Sequence, residues 1–273
     1  MDMSKYKLIA FDMDGTLLDS QKKVRQDSLD MIARAVSAGK IVTLSTGRGL
    51  PELTEYRSTL KDLQYIIGVS GALVVDAKND REIYSQPLAD ETVHKILQEV
   101  KDIDVMIHML SMESVVQKDT IWLMADYHMG IYQGMFQKIA VTPDDIRAYY
   151  EQTSKPLYKL NLYFRNQAER TIVEKRLAPL GLPLVYAEAT SLECSAPNVS
   201  KGHGLKKLCE YLNIPLEQTI AVGDADNDLD ILKQAGLAVA MGNSNENVKA
   251  IADVIVADND HGGCAQAIAE YLL

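Results

Sequence analysis

The stretch Lys7-Leu8-Ile9-Ala10-Phe11-Asp12-Met13-Asp14-Gly15-Thr16 sets a short apolar run directly against a loop that carries two carboxylates, one residue apart. A continuous apolar run without polar alternation suits a strand buried on both faces, as in a parallel sheet flanked by helices. Open sheets of that kind bind ligands at the carboxyl ends of their strands, so chemistry is expected in the loop that follows. Gly15 permits a tight backbone path there. Two acids at this spacing can divide the labour as nucleophile and proton donor. A plain turn is the alternative reading of so short a motif.

Outward from this point the pattern repeats. Gln26 to Ala38 places Leu29, Ile32, Ala33 and Val36 at helical spacing, and Gly39 ends the helix. Ile41 to Leu44 and Tyr65 to Val69 are further strand candidates, with Pro51 where a first helical turn tolerates it. Residues 1–70 therefore read as βαβαβ. The same texture returns in Thr219 to Val222, Leu237 to Ala240 and Val254 to Val256, alternating with helical segments at Leu229 to Gln234, Asn245 to Ile251 and Cys264 to Leu272.

Between these stretches the texture changes. Leu157 to Arg165 alternates apolar with polar residues, as expected of a strand with one wet face. Glu91 to Lys101 is helical, with Val93, Ile96, Leu97 and Val100 in register, and Val105 to Leu110 and Leu184 to Ala187 are strand candidates. The fold class is thus α/β: a core with a central parallel sheet, residues 1–84 and 188–273, carrying an inserted α+β domain, residues 85–187, with edges near Ser85 and Glu188.

A chain of 273 residues suits one core plus a smaller insert. With 47% hydrophobic and 24% charged residues it has the balance of a globular protein. Its 38 acidic and 28 basic residues give a net charge of -10, which repels nucleic-acid backbones and anionic membranes, so neither is an expected partner. An anionic substrate would be repelled too, so a site for one must gather positive charge locally. Cys194, Cys209 and Cys264 are odd in number and widely spaced, as expected of reduced cytoplasmic thiols. No secretory leader is read at the N-terminus, and no apolar stretch approaches the roughly 18 residues of a membrane span. A cytoplasmic location is expected.

Gly223-Asp224-Ala225-Asp226-Asn227-Asp228 also follows a buried-type strand. Acids crowded at one strand end repel each other unless a cation sits among them, and oxygen-only ligands fit Mg²⁺. An EF-hand fails for both acidic loops, because Leu17 and Leu229 stand where glycine is required and Lys23 and Ala235 where glutamate is. Ser45-Thr46-Gly47-Arg48, at the end of the second strand, offers a hydroxyl and backbone N–H groups for phosphate oxygens. Val199-Ser200-Lys201-Gly202-His203-Gly204 precedes a helix containing Leu205, Leu208 and Leu212. A lysine there is ordinarily a solvated surface group.

DxDGT, TGR, a long insert, SKG and GDxxND occur in that order, and the P-loop and GxGxxG fingerprints are absent. In this the whole chain resembles the haloacid dehalogenase superfamily, and within it the Cof-type sugar-phosphatase branch. The resemblance implies hydrolysis of a small phosphorylated metabolite, a sugar phosphate or phosphorylated cofactor, with Asp12 as nucleophile forming an aspartyl phosphate and Asp14 as acid and base. It implies Mg²⁺ held by Asp12, the Asp14 backbone carbonyl and Asp224, with Asp228 in support. Lys201 becomes the counter-charge, and Thr46, Gly47, Met13 and Asn227 the phosphate cradle. Arg48 is left between binding substrate and pairing with an acid. The insert is implied to be a cap that sets specificity, and His108, His128, Trp122 and Arg165 are candidates there, although such residues are more often core or surface. Two positions depart from the family pattern: Ser70 replaces an expected Asn, and Asp230, expected on the solvent side of a helix, replaces a Met. A phosphomutase using the same aspartyl phosphate and a non-catalytic phosphometabolite sensor are the competing readings.

Overall fold

The computed structural model describes residues 5–153, 155–186 and 189–273. Its strands are β1 (Leu8–Phe11), β2 (Ile41–Ser45), β3 (Tyr65–Gly68), β4 (Leu73–Asp76), β5 (Arg81–Ser85), β6 (Val105–Leu110), β7 (Ser114–Val116), β8 (Lys159–Phe164), β9 (Leu184–Val185), β10 (Ser191–Ser195), β11 (Thr219–Gly223), β12 (Leu237–Ala240) and β13 (Val254–Ile255). The helices are α1 (Gln26–Ser37), α2 (Asp90–Glu99), α3 (Lys118–Ile121), α4 (Gln133–Ile139), α5 (Ile146–Thr153), α6 (Gln167–Leu177), α7 (Lys201–Leu212), α8 (Leu229–Gln234), α9 (Glu246–Ile251) and α10 (Gly263–Ala267). Two compact units result. The first takes in the chain up to Gly47, Tyr56–Ser85 and Ser200–Leu273; the second takes in Arg48–Glu55 and Gln86–Val199.

The first unit is built on an eight-stranded sheet in the order β13-β12-β11-β1-β2-β3-β4-β5. All four residues of β1 are buried, which is why the segment is uniformly apolar. β1 runs parallel to both β11 and β2, with Phe11 level with Val222 and with Leu44. The register brings the carboxyl ends of three strands to one sheet edge, and with them the loops beginning at Asp12, Thr46 and Asp224. The antiparallel pair β4 and β5, which extends the sheet past β3, has no counterpart among the sequence expectations.

Local chemistry fixes the helices. α1 ends in a Schellman motif: Gly39 takes φ 76°, the Lys40 N–H donates to the Ala35 carbonyl and the Gly39 N–H to that of Val36. α7 begins at an N-cap, Ser200, whose Oγ accepts from the His203 N–H at 3.0 Å. A close crossing holds that cap in place. A Cβ at Gly71, where φ is 97°, would stand 1.9 Å from the Ser200 carbonyl oxygen, and one at Gly204 would stand 2.4 Å from Ile67 Cγ2. Only glycine fits the left-handed backbone and the contact together.

The second unit carries a five-stranded sheet in the order β7-β6-β8-β10-β9, all antiparallel. One face packs on α2, α5 and α6 through Val93, Ile96, Tyr150, Leu160, Leu162, Phe164 and Val173. The expected wet face of β8 is corrected by the structure, since Lys159 and Asn161 are buried. Over part of that second face lie Ile121, Met124, Tyr127, Met129 and Phe136, packed on Met106 and Val116. Because β10 pairs with β8, the unit runs on to Val199, past the expected edge near Glu188. Glu188, and Ala187 of the expected Leu184 to Ala187 strand, lie outside the described residues.

Gly71→Ala is expected to destabilise the fold by about 2–4 kcal/mol, from backbone strain and the clash with the Ser200 carbonyl. A fall in the thermal unfolding midpoint measures it, and an unchanged midpoint would contradict this packing.

Candidate active site

Asp12 follows β1 directly, and its N–H donates to the Val222 carbonyl at 2.9 Å, so its position is set by the β1–β11 ladder. Lys201 is the first residue of α7, and its Nζ binds Asp12 Oδ1 and, at 2.7 Å, Asp228 Oδ1. Asp12, Lys201 and Asp228 are 7%, 2% and 0% exposed, so the motif lysine is no surface group. The segment ahead of it is braced as well. The Ser200 hydroxyl donates to Asp230 Oδ2, which also accepts from Gln234 Nε2 at 3.0 Å. A Cβ at Gly202 would come within 2.5 Å of both Asp230 and Gln234. Asp230 therefore does not face solvent as expected; it fixes the turn that delivers Lys201.

Asp228 is committed on both oxygens. Oδ1 takes the lysine, and Oδ2 accepts the N–H groups of Asp224 at 3.0 Å and Ala225 at 3.2 Å. Asp224 accepts from the Thr16 hydroxyl at 2.8 Å through Oδ1. Its Oδ2 lies in space that a Cβ on Gly15 would invade at 2.5 Å, and Gly15 takes φ 85°. The glycine of DxDGT thus keeps a carboxylate oxygen clear as well as turning the chain.

The electrostatics are those of an acidic site short of positive charge. Burial, with the neighbouring Asp228 and Asp224 charges adding to it, outweighs the pull of Lys201 and raises Asp12 to about 7. Burial also raises Asp224. Burial pulls the Lys201 ammonium down, but Asp12 and Asp228 together hold it above an ordinary lysine, so it stays charged. Oxygens of Asp12, Asp224 and Asp228 lie within 4.8 Å of one another, an arrangement able to hold a metal ion. The donors are all hard oxygens, which suits Mg²⁺ rather than the thiolate- or imidazole-seeking metals.

Thr46 is buried beside the site at the end of β2, its N–H donating to Ile67 at 2.8 Å and its carbonyl accepting from Ser70 at 2.9 Å. Gly47 follows it. Ser70 and Val69 take φ values of 57° and 51°, a conformation uncommon for side-chain-bearing residues and most adverse for the β-branched Val69. The Met13 side chain is buried, and Asn227 stands exposed in the single turn Asp226–Asp228. Asp14 is half-exposed and pairs with Lys22 at 2.9 Å. Sequence reasoning missed the Thr16 clamp and the run Gly242-Asn243-Ser244 after β12. There Asn243 Nδ2 donates to the Gly15 carbonyl at 2.8 Å and Ser244 Oγ to that of Gly223 at 3.2 Å. Polar residues directly after a buried strand were the available signal.

Of the candidates in the second unit, Trp122 is 70% exposed. Arg165 is held by Asp104 and Asp126, and His128 faces the Arg165 carbonyl. Only His108 is buried.

The sequence profile of the haloacid dehalogenase-like hydrolase family matches residues 9–268. Among curated proteins, Phosphatase YwpJ of Bacillus subtilis is 27% identical, the alignment covering 97% of this chain and 100% of that protein. The 5-amino-6-(5-phospho-D-ribitylamino)uracil phosphatase YitU of the same organism is 29% identical, with 98% of each covered. Among solved structures, a haloacid dehalogenase-like hydrolase from Bacteroides thetaiotaomicron superposes with a TM-score of 0.85 at 26% identity, covering 97% of this chain and 98% of that one. One from B. subtilis gives 0.83 at 26% identity, covering 97% and 99%. A lysine shared between two buried aspartates, a strand-end pair of acids and a match running nearly end to end lead to one conclusion: the chain belongs to the haloacid dehalogenase-like hydrolases, in their Cof-type branch, and is a phosphatase.

Proposed function

We propose that the chain hydrolyses the phosphate monoester of a small polyhydroxylated metabolite through an aspartyl phosphate on Asp12. The observation that carries this is the buried Asp12–Lys201–Asp228 triad, which holds a carboxylate at a strand end against a fixed ammonium. Asp12 attacks phosphorus, and the Lys201 ammonium stabilises the charge that gathers on the phosphoryl oxygens. Asp14 protonates the leaving oxygen, then takes a proton from the water that releases phosphate from Asp12. Its ion pair with Lys22, with side chains 37% and 47% exposed, must open for that duty; pairs so solvated part at little cost. Thr46, the N–H groups of Gly47 and Met13, and Asn227 complete the phosphate cradle.

Mg²⁺ would be held by Asp12, the Asp14 backbone carbonyl and Asp224. Asp228, with both oxygens engaged, positions Lys201 and the loop instead. When bound, the ion neutralises the carboxylates and the incoming phosphate. The second unit is proposed as the cap that sets specificity. YitU is named for a phosphoribityl substrate, which supports a polyol or sugar phosphate here.

Free phosphate released from an aryl phosphate in Mg²⁺, and lost on chelation, tests the reaction; transfer to a sugar hydroxyl without free phosphate would instead mark a mutase. Asp12→Asn is expected to abolish turnover in a folded protein, and Asp14→Asn to lower kcat by roughly 10²-fold or more. Near-normal activity in either would sink the assignment.

Metal and pH are linked. Without metal, the folded chain between its ordinary carboxylate value of 3.8 and about 7 holds a proton on Asp12 that the unfolded chain releases, so this group's contribution to stability falls as pH rises. Metal binding needs the ionised carboxylate, so Mg²⁺ is expected to raise the thermal midpoint more above pH 7 than near pH 5. Equal gains at both would refute the metal assignment to Asp12.

A further inference from the structure

Ser45 closes β2 in the first unit with a hydroxyl that is buried and unpaired: the residue is 1% exposed, and its Oγ has no hydrogen-bond partner among the described residues. Buried polar atoms almost always have one. Thr43, two residues earlier on the same face of the strand, does: its Oγ1 donates to the Tyr65 carbonyl at 3.0 Å. Register fixes the surroundings of Ser45. It is level with Ile67 of β3 and, one step past the pair Phe11 and Leu44, with Asp12; Gly223 of β11 completes the row. The row faces α7, because Leu8, Ala10 and Ile67 share that face and pack with Leu205 and Leu208. Asp228 stands over one end, where a Cβ on Gly223 would meet its Cβ at 2.6 Å, and Gly204 over the other, 2.4 Å from Ile67 Cγ2 were it to carry a Cβ. Lys201, in the same first turn of α7, bonds Asp12 and Asp228. Its ammonium has three N–H donors and two partners among the described residues. Beside Asp12, then, a hydroxyl oxygen and one lysine N–H are both unmet.

We propose that Ser45 is a positioning residue for the second half of the reaction: its Oγ accepts the third Lys201 N–H while Asp12 carries the phosphoryl group. The inference rests on the aspartyl-phosphate reading above. In the resting site the Asp12 carboxylate itself holds the ammonium. Once an Asp12 oxygen is bonded to phosphorus, the carboxylate has become an acyl phosphate, whose carboxyl end is uncharged and a poorer acceptor, and Asp228 draws the ammonium to its own side. In the step that follows, the water oxygen bonds to phosphorus, its proton passes to Asp14, the bond between phosphorus and the Asp12 oxygen breaks, and that electron pair returns to Asp12 as carboxylate charge. A lysine N–H aimed at the departing oxygen stabilises that charge, and Ser45 keeps it aimed. A hydroxyl suits the task because a neutral acceptor adds no further negative charge to a site that already holds Asp12, Asp224 and Asp228.

The test uses the whole protein in Mg²⁺ with an aryl phosphate, following release of the aryl alcohol in the first turnover, release of phosphate, and the phosphate left on the protein after an acid quench. Ser45→Ala is expected to leave the first-turnover alcohol release nearly unchanged and to slow phosphate release about tenfold, the scale of one hydrogen bond to a charged group, so that the phosphorylated fraction rises. Its thermal midpoint is expected not to fall, since an unpaired buried hydroxyl adds no stability to the resting fold. Ser45→Thr, which keeps the hydroxyl, is expected to recover the second step relative to alanine. Equal slowing of both steps, a lowered midpoint with an unchanged phosphorylated fraction, or wild-type kinetics in Ser45→Ala overturns the inference. Should the alanine variant not fold, Ser45→Cys, close in size and a weak acceptor, carries the same comparison. No phosphate release by wild type, or no protein-bound phosphate in any variant, would instead refute the aspartyl-phosphate reading on which it rests.

Discussion

One ammonium among three carboxylates governs the first unit. Lys201 is bonded to Asp12 and Asp228, and all three are nearly inaccessible to solvent. Taking such charges out of water costs several kcal/mol per ion unless the geometry and the remaining hydrogen bonds are both supplied. The surroundings supply them. Asp228 is saturated by the lysine and two backbone N–H groups, and Asp224 is fixed by Thr16. Burial, with the Asp228 and Asp224 charges adding to it, raises Asp12, so a cation among these carboxylates would relieve both the buried charge and their mutual repulsion in a chain of net charge -10.

Holding Lys201 in place explains residues outside the Asp12–Lys201–Asp228 cluster. Ser200 caps α7 and binds Asp230, Gly202 leaves room for Asp230 and Gln234, and Gly71 and Gly204 let the β3–β4 connection cross the start of that helix. The strained Val69–Ser70 step sits in the same connection, one hydrogen bond from Thr46. A site that needs sub-ångström placement is here assembled from backbone approaches that side chains would prevent.

The second unit solves a different problem. One face of its sheet is a plain apolar core, but the other divides between an apolar patch under Met124 and Phe136 and a polar row of His108, Asn161, Glu193 and Lys159. Polar groups so buried carry a penalty that a packed apolar face would avoid. Their retention, with His108 Nδ1 and Asn161 Oδ1 lacking a hydrogen-bond partner among the described residues, separates this row from ordinary core.

The edge that carries the candidate site was legible in the sequence because its determinants are local. An apolar run ending at Asp12 or Gly223 dictates a buried strand, and a loop of acids directly after it can only lie at the strand end. What lay beyond reach depended on contacts between distant segments. The alternation of Leu157 to Arg165 promised a wet face, since periodicity records which side chains share a face and not what later covers it. The hairpin β4–β5 and strand β10 went unseen because short strands take their identity from a neighbour's register. Asp230 looked like a solvated helix residue until Ser200, far away in sequence, was brought against it. Sequence alone thus determined the family, the α/β core and the identity of Asp12, Asp14, Asp224 and Lys201 as its candidate machinery. Tertiary structure decided that Lys201 is shared between two buried acids, that Asp228 braces it, and that the second unit carries a buried polar row, because burial and hydrogen-bond satisfaction exist only once the chain has folded.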